Sequence, residues 1–151
     1  MNATAQIHKR LADYLVNVCE FCITRGQSTG RMFVGNTPAQ IFRYIAFCHL
    51  SGRLNVRYDA HKITAILVCW PDWQEHIEHK AARNKPQFEW TRAPRGNSMF
   101  VAEVIGSRRA LRILYEGMIE LHPHLLQSRV FTMRHGRLVK LSQAAIERFM
   151  R

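Results

Sequence analysis

The chain has 151 residues, of which 47% are hydrophobic, so it can bury the core of one domain and is too short to predict two. Its 22 basic residues against 11 acidic ones give a net charge of +11, and 17 of the basic residues are arginine. Arginine binds phosphates and carboxylates through paired hydrogen bonds, so we expect an anionic partner: a phosphorylated cofactor, nucleic acid or an acidic protein surface. The longest apolar run, residues 65–70, is far shorter than the roughly 20 residues of a membrane span.

Four cysteines, at positions 19, 22, 48 and 69, are few for this length. The first residues show no signal-peptide pattern, so we expect reduced thiols and a cytoplasmic location. Cys19 and Cys22 have the C-x-x-C spacing of zinc and redox sites. The same spacing places both on the apolar stripe of a helix, and no second pair completes a zinc site, so we predict a metal-free pair in the core.

Helical spacing predicts an amphipathic first helix over residues 4–24, packed through Leu11, Leu15, Val18 and Cys22. Residues 25–36 are glycine-rich and polar and are predicted to form a loop. Thr37 and Pro38 then open a second helix as a cap and a first-turn proline. An alternating stretch at 54–59 and an apolar, β-branched stretch at 63–70 flank the tight turn 59–62, which predicts a hairpin.

The segment 71–97 is predicted to be loop-rich. Within it, His76 and His79 have a spacing that could supply two metal ligands from one helical face. The sequence offers no nearby third ligand of convincing spacing except Glu75 or Glu78, so a solvated polar helix is the favoured interpretation.

In the stretch 98–124 the spacing of apolar residues changes from that of a strand to that of a helix. The rest of the chain is predicted to be organised around this stretch. Residues 99–105 form a short apolar run that predicts a buried strand ended by Gly106. Ser107 then caps a helix that Pro123 stops. The predicted inner face of this helix consists of Ala110, Ile113, Leu114, Met118 and Leu121.

Arg108 and Arg109 stand at the start of this helix, where the helix dipole is already positive. A bound phosphate would relieve that unfavourable placement. The alternative is that both guanidinium groups point into solvent at a cost of a few tenths of a kcal/mol.

The remaining elements are a strand at 130–133, a turn at His135 and Gly136, a strand at 138–141, and a last helix through Met150 capped by Ser142. The order of elements predicts a single α+β domain over residues 1–151. Its central sheet is expected to be mostly antiparallel, with helices on its faces.

Several segments resemble the GNAT superfamily of N-acetyltransferases, and within it the toxin-activating lysine acyltransferases of the hemolysin type. They are TPAQIFRYI, ITAILVCW ending at Trp70, FEWTRAPRGNSMFVAEVIG and MRHGRLVKLSQAAIERF, within residues 35–149. The resemblance implies transfer of an acyl group from an acyl-CoA-type donor to an amine. It also implies that the donor's pyrophosphate is held by the turn after the central strand: Gly106, Ser107, Arg108, Arg109 and Ala110.

The resemblance also gives candidate catalytic residues. The toxin-activating group has a Ser-x-x-His on its first helix, of which residues 5–8 keep His8, and an Asp on the central strand. The Asp position falls at Ala102 here, and strand alternation predicts that Glu103 lies on the opposite face. We predict Glu103 or His8 as the base that deprotonates the amine.

Small proteins that resemble GNAT domains with degenerate sites also occur among tailed-phage proteins, for which a virion location is the alternative to the cytoplasm. The second hypothesis is therefore a non-catalytic basic module that binds nucleic acid or a partner protein. Its candidate contacts are Arg92, Arg95, Arg108, Arg109, Arg134 and Arg137.

Overall fold

A computed structural model describes residues 2–25, 36–83, 96–121, 123, 129–134 and 136–151. The elements follow the predicted order. They are α1 (Ala3–Arg25), α2 (Pro38–Leu50), β1 (Leu54–Asp59), β2 (Lys62–Asp72), α3 (Gln74–Ala82), β3 (Ser98–Gly106), α4 (Arg108–Leu121), β4 (Arg129–Arg134), β5 (Arg137–Leu141) and α5 (Gln143–Met150).

The five strands within the described residues form one sheet in the order β1-β2-β3-β4-β5, and among their pairings only that of β3 with β4 is parallel. Apolar side chains of α1, α2 and α3 pack on one face of the sheet, and those of α4 and α5 pack on the other. The predicted α+β class, with a mostly antiparallel sheet and helices on its faces, is confirmed.

The first helix packs as its spacing predicts. Leu15, Val18 and Cys22 are buried, and Leu11 is partly buried against the same cluster. All four cysteines are buried with free thiols. Cys19 and Cys22, the two residues of the C-x-x-C spacing, therefore lie on the packed stripe of α1.

The hairpin of β1 and β2 turns through two residues with positive φ, Ala60 at 46° and His61 at 67°. Two consecutive left-handed residues give the type of turn whose twist matches that of the flanking strands. The second strand continues past the predicted end at Trp70 to Asp72, because Pro71 and Asp72 still pair with Met99 and Ser98 of β3.

The inner face of α4 differs from the predicted one. Ala110 and Met118 are buried and Leu114 is partly buried against the core, as predicted, but Leu111 and Tyr115 are the other buried side chains in place of Ile113 and Leu121. Leu121 is 78% exposed, so its prediction as a core residue is wrong. Leu121 is the last residue of the helix, and the buried stripe follows Ala110, Leu111, Tyr115 and Met118 because these face β2 and α5.

The end of the chain matches its prediction. The Ser142 hydroxyl accepts a hydrogen bond from the Ala145 N–H at 3.1 Å and caps α5, whose Ile146 and Phe149 pack inward. Gly136 has a φ of 76° in the turn between β4 and β5.

Of the two segments predicted to be loop-rich, 71–97 contains the end of β2 and the polar helix α3. Residues 26–35 and 84–95, with Arg92 and Arg95, lie outside the described residues.

Candidate functional site

The parallel strands β3 and β4 pair over only part of their length. Their ladder runs from Ser98 opposite Arg129 to Val101 opposite Thr132. Beyond this point Met133 and Arg134 pair only with β5, and the described ladder joins no residue of 102–106 to β4. The pairing of β3 with β4 therefore ends at Val101, and we call the unpaired stretch between residues 102–106 and the end of β4 the opening.

A β-bulge in β3 lies at the start of this opening. Cys69 of β2 lies opposite Val101 and Val68 lies opposite Glu103, so Ala102 is an extra residue without a partner in β2. A bulge of this kind interrupts the alternation of side chains along a strand. Ala102 and Glu103 consequently lie on the same face, next to α1 and α2, which corrects the prediction that they lie on opposite faces.

The turn after β3 is built around Gly106, which has a φ of +136°. A Cβ atom at this position would lie 2.6 Å from the Thr64 carbonyl oxygen and 2.7 Å from Ala65 Cα. Ser107 then caps α4, because its hydroxyl accepts from the Ala110 N–H at 3.2 Å and its carbonyl accepts from the Leu111 N–H. The close approach of β2 thus requires a glycine here, independently of any ligand.

The two arginines that follow have different surroundings. Arg108 donates a hydrogen bond to the carbonyl oxygen of Arg148, and Arg112, one turn further along α4, donates to the carbonyl oxygen of Arg151 at 2.8 Å. Both contacts fasten α4 to the end of α5, where the helix dipole is negative. Arg109 instead lines a cavity on the side of β1.

This polar cavity has a volume of about 220 Å³ and is lined by Arg57, Asp59, Ser107, Arg109, Ala110 and Ile113. The N–H groups of Arg108 and Arg109 have no carbonyl partner within the helix. Within the described part of the chain, the buried Nε–H of Arg57 makes no hydrogen bond. These donors could all bind an anion. The carboxylate of Asp59, which pairs with Arg57 at 3.3 Å, would repel one.

Glu103 has no exposed surface and lies against α1 and α2. Burial, together with the negative charge of Glu103, raises the pKa of the Cys48 thiol to about 12, and the same two causes act in the same direction on the pKa of Cys22. Both thiols are therefore protonated at neutral pH and are poor nucleophiles.

His8 lies exposed near the other end of α1. It precedes Cys22, the neighbour of Glu103, by 14 residues, which is about 21 Å along a helix axis. The structure thus brings the predicted residues Gly106 to Ala110 together and leaves Glu103 nearby on β3. It does not bring His8 into the same group.

Asp72 is a polar residue that the sequence analysis missed. Its side chain is 1% exposed and accepts hydrogen bonds from the Trp73 N–H at 2.7 Å and from Lys80 Nζ at 3.4 Å, and it lies 3.2 Å from Nδ1 of His76. Asp72, His76 and Lys80 are spaced by four residues, a signal for one helical face that was present in the sequence. Asp72 joins the end of β2 to α3.

Comparison with models of known families, with curated proteins and with solved structures finds no match for this chain. Within the described residues, no three side chains of His, Cys, Asp or Glu are grouped so that they could hold a metal ion. The described helices include none long and apolar enough to cross a membrane.

Proposed function

We propose that this chain is a GNAT-like acyltransferase that transfers an acyl group from an acyl-CoA-type donor to an amine. The observation that carries the proposal is the opening between the parallel strands β3 and β4. It begins at a bulge, leads to a glycine turn and ends at a capped helix. Together with the segments that resemble the superfamily, this arrangement offers a slot beside a phosphate-binding turn.

The residues around the polar cavity are compatible with the donor's phosphates. Arg109, Arg57 and the N–H groups at the start of α4 are cationic or hydrogen-bond donors, and the helix start itself attracts anions. Arg108 supports this turn indirectly, since it fastens α4 to α5. The donor would supply an activated thioester: the amine nitrogen would bond to its carbonyl carbon, the C–S bond would break, and coenzyme A would leave as the free thiol.

Glu103 is the base in this proposal. It lies on the half of β3 that parts from β4, and its burial excludes water from the carboxylate. An amine that enters at the opening gives its proton to Glu103 and becomes nucleophilic, provided that the two groups come within hydrogen-bond distance. Of the two bases predicted from the sequence, His8 is too far along α1 to share this proton.

The anion site is tested by two neighbouring charge reversals. Arg109→Glu is expected to weaken the binding of coenzyme A and pyrophosphate about tenfold or more, because it removes a charge-assisted donor. Arg108→Glu is expected to leave this affinity nearly unchanged and to lower stability, because it breaks the contact with α5. The two variants should differ by about 1 kcal/mol in unfolding free energy, since a carboxylate at 109 suits the helix dipole.

Isothermal titration and chemical denaturation of the wild type and both variants measure these effects. Equal affinity for coenzyme A in the wild type and Arg109→Glu would remove the phosphate site from the proposal. A loss of affinity in Arg108→Glu as large as that in Arg109→Glu would show that the two arginines act together, contrary to their separate contacts.

The base is tested by Glu103→Gln, which keeps the shape of the side chain. Transfer from acetyl-CoA to a lysine-containing peptide, followed by mass spectrometry, is expected to fall about a hundredfold, the scale of one general base. Coenzyme A affinity should stay the same, because Glu103 does not line the polar cavity. Unchanged transfer in this variant would exclude Glu103 as the base.

The second candidate function is a basic, non-catalytic module that binds nucleic acid or an acidic partner protein. It is favoured by the exposed cations along β4 and β5, which are Arg129, Arg134, Arg137 and Lys140. Binding to duplex DNA that weakens steeply with salt, in a protein with no affinity for coenzyme A, would favour this function over acyl transfer.

A further inference from the structure

A second cavity, of about 250 Å³, lies between the sheet and the helices α4 and α5. Its walls are aliphatic and aromatic side chains, among them Leu67, Val104, Tyr115 and Phe149. The hydroxyl of Thr132, which also lines it, already donates a hydrogen bond to the Val101 carbonyl oxygen at 2.9 Å. Binding of an apolar group that displaces water from walls of this kind is favourable, because apolar surface is removed from water.

The charge at this cavity has one sign. Among the described residues that line it, Arg134 carries the only formal charge, and its side chain is exposed at the end of β4. A ligand with an apolar body and a single negative charge is therefore complementary to the cavity. A ligand with a positive head would meet a like charge.

The volume limits the size of the ligand. An apolar cavity of about 150 Å³ holds one benzene ring, so about 250 Å³ corresponds to roughly ten carbon atoms. We propose that this cavity is a binding site for an aliphatic carboxylate of about eight to ten carbon atoms, whose carboxylate pairs with Arg134.

The cavity adjoins the opening between β3 and β4, because Val104 of β3 and Met133 and Arg134 of β4 line it. Most of its apolar lining belongs to the cluster on the α4 and α5 face of the sheet, whereas Glu103 lies on the face of α1 and α2. A chain bound in the cavity is not presented to Glu103. The site can therefore exist whether or not the chain transfers acyl groups.

Calorimetric titration with decanoate, below its micelle concentration, tests the proposal. Decanoate is expected to bind at least tenfold more tightly than butyrate, which is too short to fill the cavity, and than decyltrimethylammonium, which has the opposite charge. Absence of decanoate binding, or equal affinity for the anionic and cationic ligands, would overturn the proposal.

Two matched pairs of variants locate the binding. Arg134→Gln should weaken decanoate binding about threefold to fivefold, the scale of an exposed ion pair. Arg137→Gln is the control, because Arg137 pairs with Arg134 across β4 and β5 but does not line the cavity. Ala145→Phe fills the cavity from α5 and should abolish binding, whereas Ala144→Phe, at the exposed neighbouring position, should not.

Equal affinities within each pair would place decanoate elsewhere and overturn the assignment. If Ala145→Phe fails to fold, the two arginine variants decide alone, because both positions are exposed and their replacement leaves the core intact.

Discussion

Gly106→Ala is expected to lower the unfolding free energy by about 3 to 5 kcal/mol, because backbone strain and overpacking each cost about 1 to 3 kcal/mol. The strain arises because φ is +136°, a conformation that residues with a side chain rarely adopt. The overpacking arises because the new Cβ would lie 2.6 to 2.7 Å from main-chain atoms of Thr64 and Ala65 and from the Ala65 Cβ. These atoms belong to a central strand, which cannot move away cheaply.

Two other glycines serve as matched controls. Gly52 also has a positive φ, +71°, but a Cβ there would meet no atom within 4 Å, so Gly52→Ala isolates the backbone contribution of about 1 kcal/mol. Gly117 lies inside α4 with open space around it, so Gly117→Ala should stabilise the protein by about 0.5 to 1 kcal/mol.

Urea denaturation of the three variants separates the contributions. The difference between Gly106→Ala and Gly52→Ala measures the clash with β2. If the two variants lose the same stability, β2 does not approach the turn as closely as the structure has it. If β2 and the turn move apart in Gly106→Ala, the start of α4 moves as well, and coenzyme A affinity should fall together with stability.

The strand, glycine turn and helix around Gly106 could be predicted from the sequence because their signals are local. The apolar run of β3, the Ser107 cap and the helical spacing after it are all contained within a few residues. The requirement for glycine, by contrast, comes from Thr64 and Ala65, about 40 residues away in the sequence. The position of this glycine in the turn could therefore be predicted from the sequence, but the contacts that require a glycine there could not.

The difference between Arg108 and Arg109 could not be predicted, because it depends on where α5 docks. Both arginines stand at the start of one helix, but only Arg108 reaches the carbonyl of Arg148. The face of Glu103 was predicted wrongly for a related reason. Alternation along β3 holds only in a regular strand, and the extra residue Ala102 is recognised only from the pairing with β2.

Asp72 illustrates a signal that was present but not used. Its spacing to His76 and Lys80 is visible in the sequence, but Pro71 and the predicted loop-rich segment 71–97 obscured the start of α3. Gly96, far along the chain, lies directly against the main chain of Asp72, where a side chain would not fit. Burial of this kind follows from tertiary contacts and has no local pattern.

Asp72→Ala is expected to lower the unfolding free energy by about 2 to 4 kcal/mol. The substitution removes the acceptor for the Trp73 N–H and the negative partner of Lys80 and His76. Breaking a fully buried ion pair costs about 3 to 5 kcal/mol. The expected loss is somewhat smaller, because the side chains of Lys80 and His76 are 23% and 59% exposed and water can solvate them.

Two further variants define the contribution of the charge. Asp72→Asn keeps an oxygen for the Trp73 N–H and removes the charge, so it should cost about 1 to 2 kcal/mol. Asp59→Asn removes a carboxylate of the same type that is 59% exposed and pairs with Arg57 at 3.3 Å, so it should cost at most about 0.5 kcal/mol.

Denaturation curves give these differences, and hydrogen exchange localises them. Because Asp72 fastens α3 to β2, the amide of Ile77 should exchange faster in Asp72→Ala, while the amides of β1 keep their protection. A loss of stability in Asp72→Ala no greater than in Asp59→Asn would mean that the buried carboxylate adds nothing beyond a surface ion pair. Faster exchange throughout the sheet would mean that Asp72 supports the whole fold, and that the anchoring of α3 is only one part of its role.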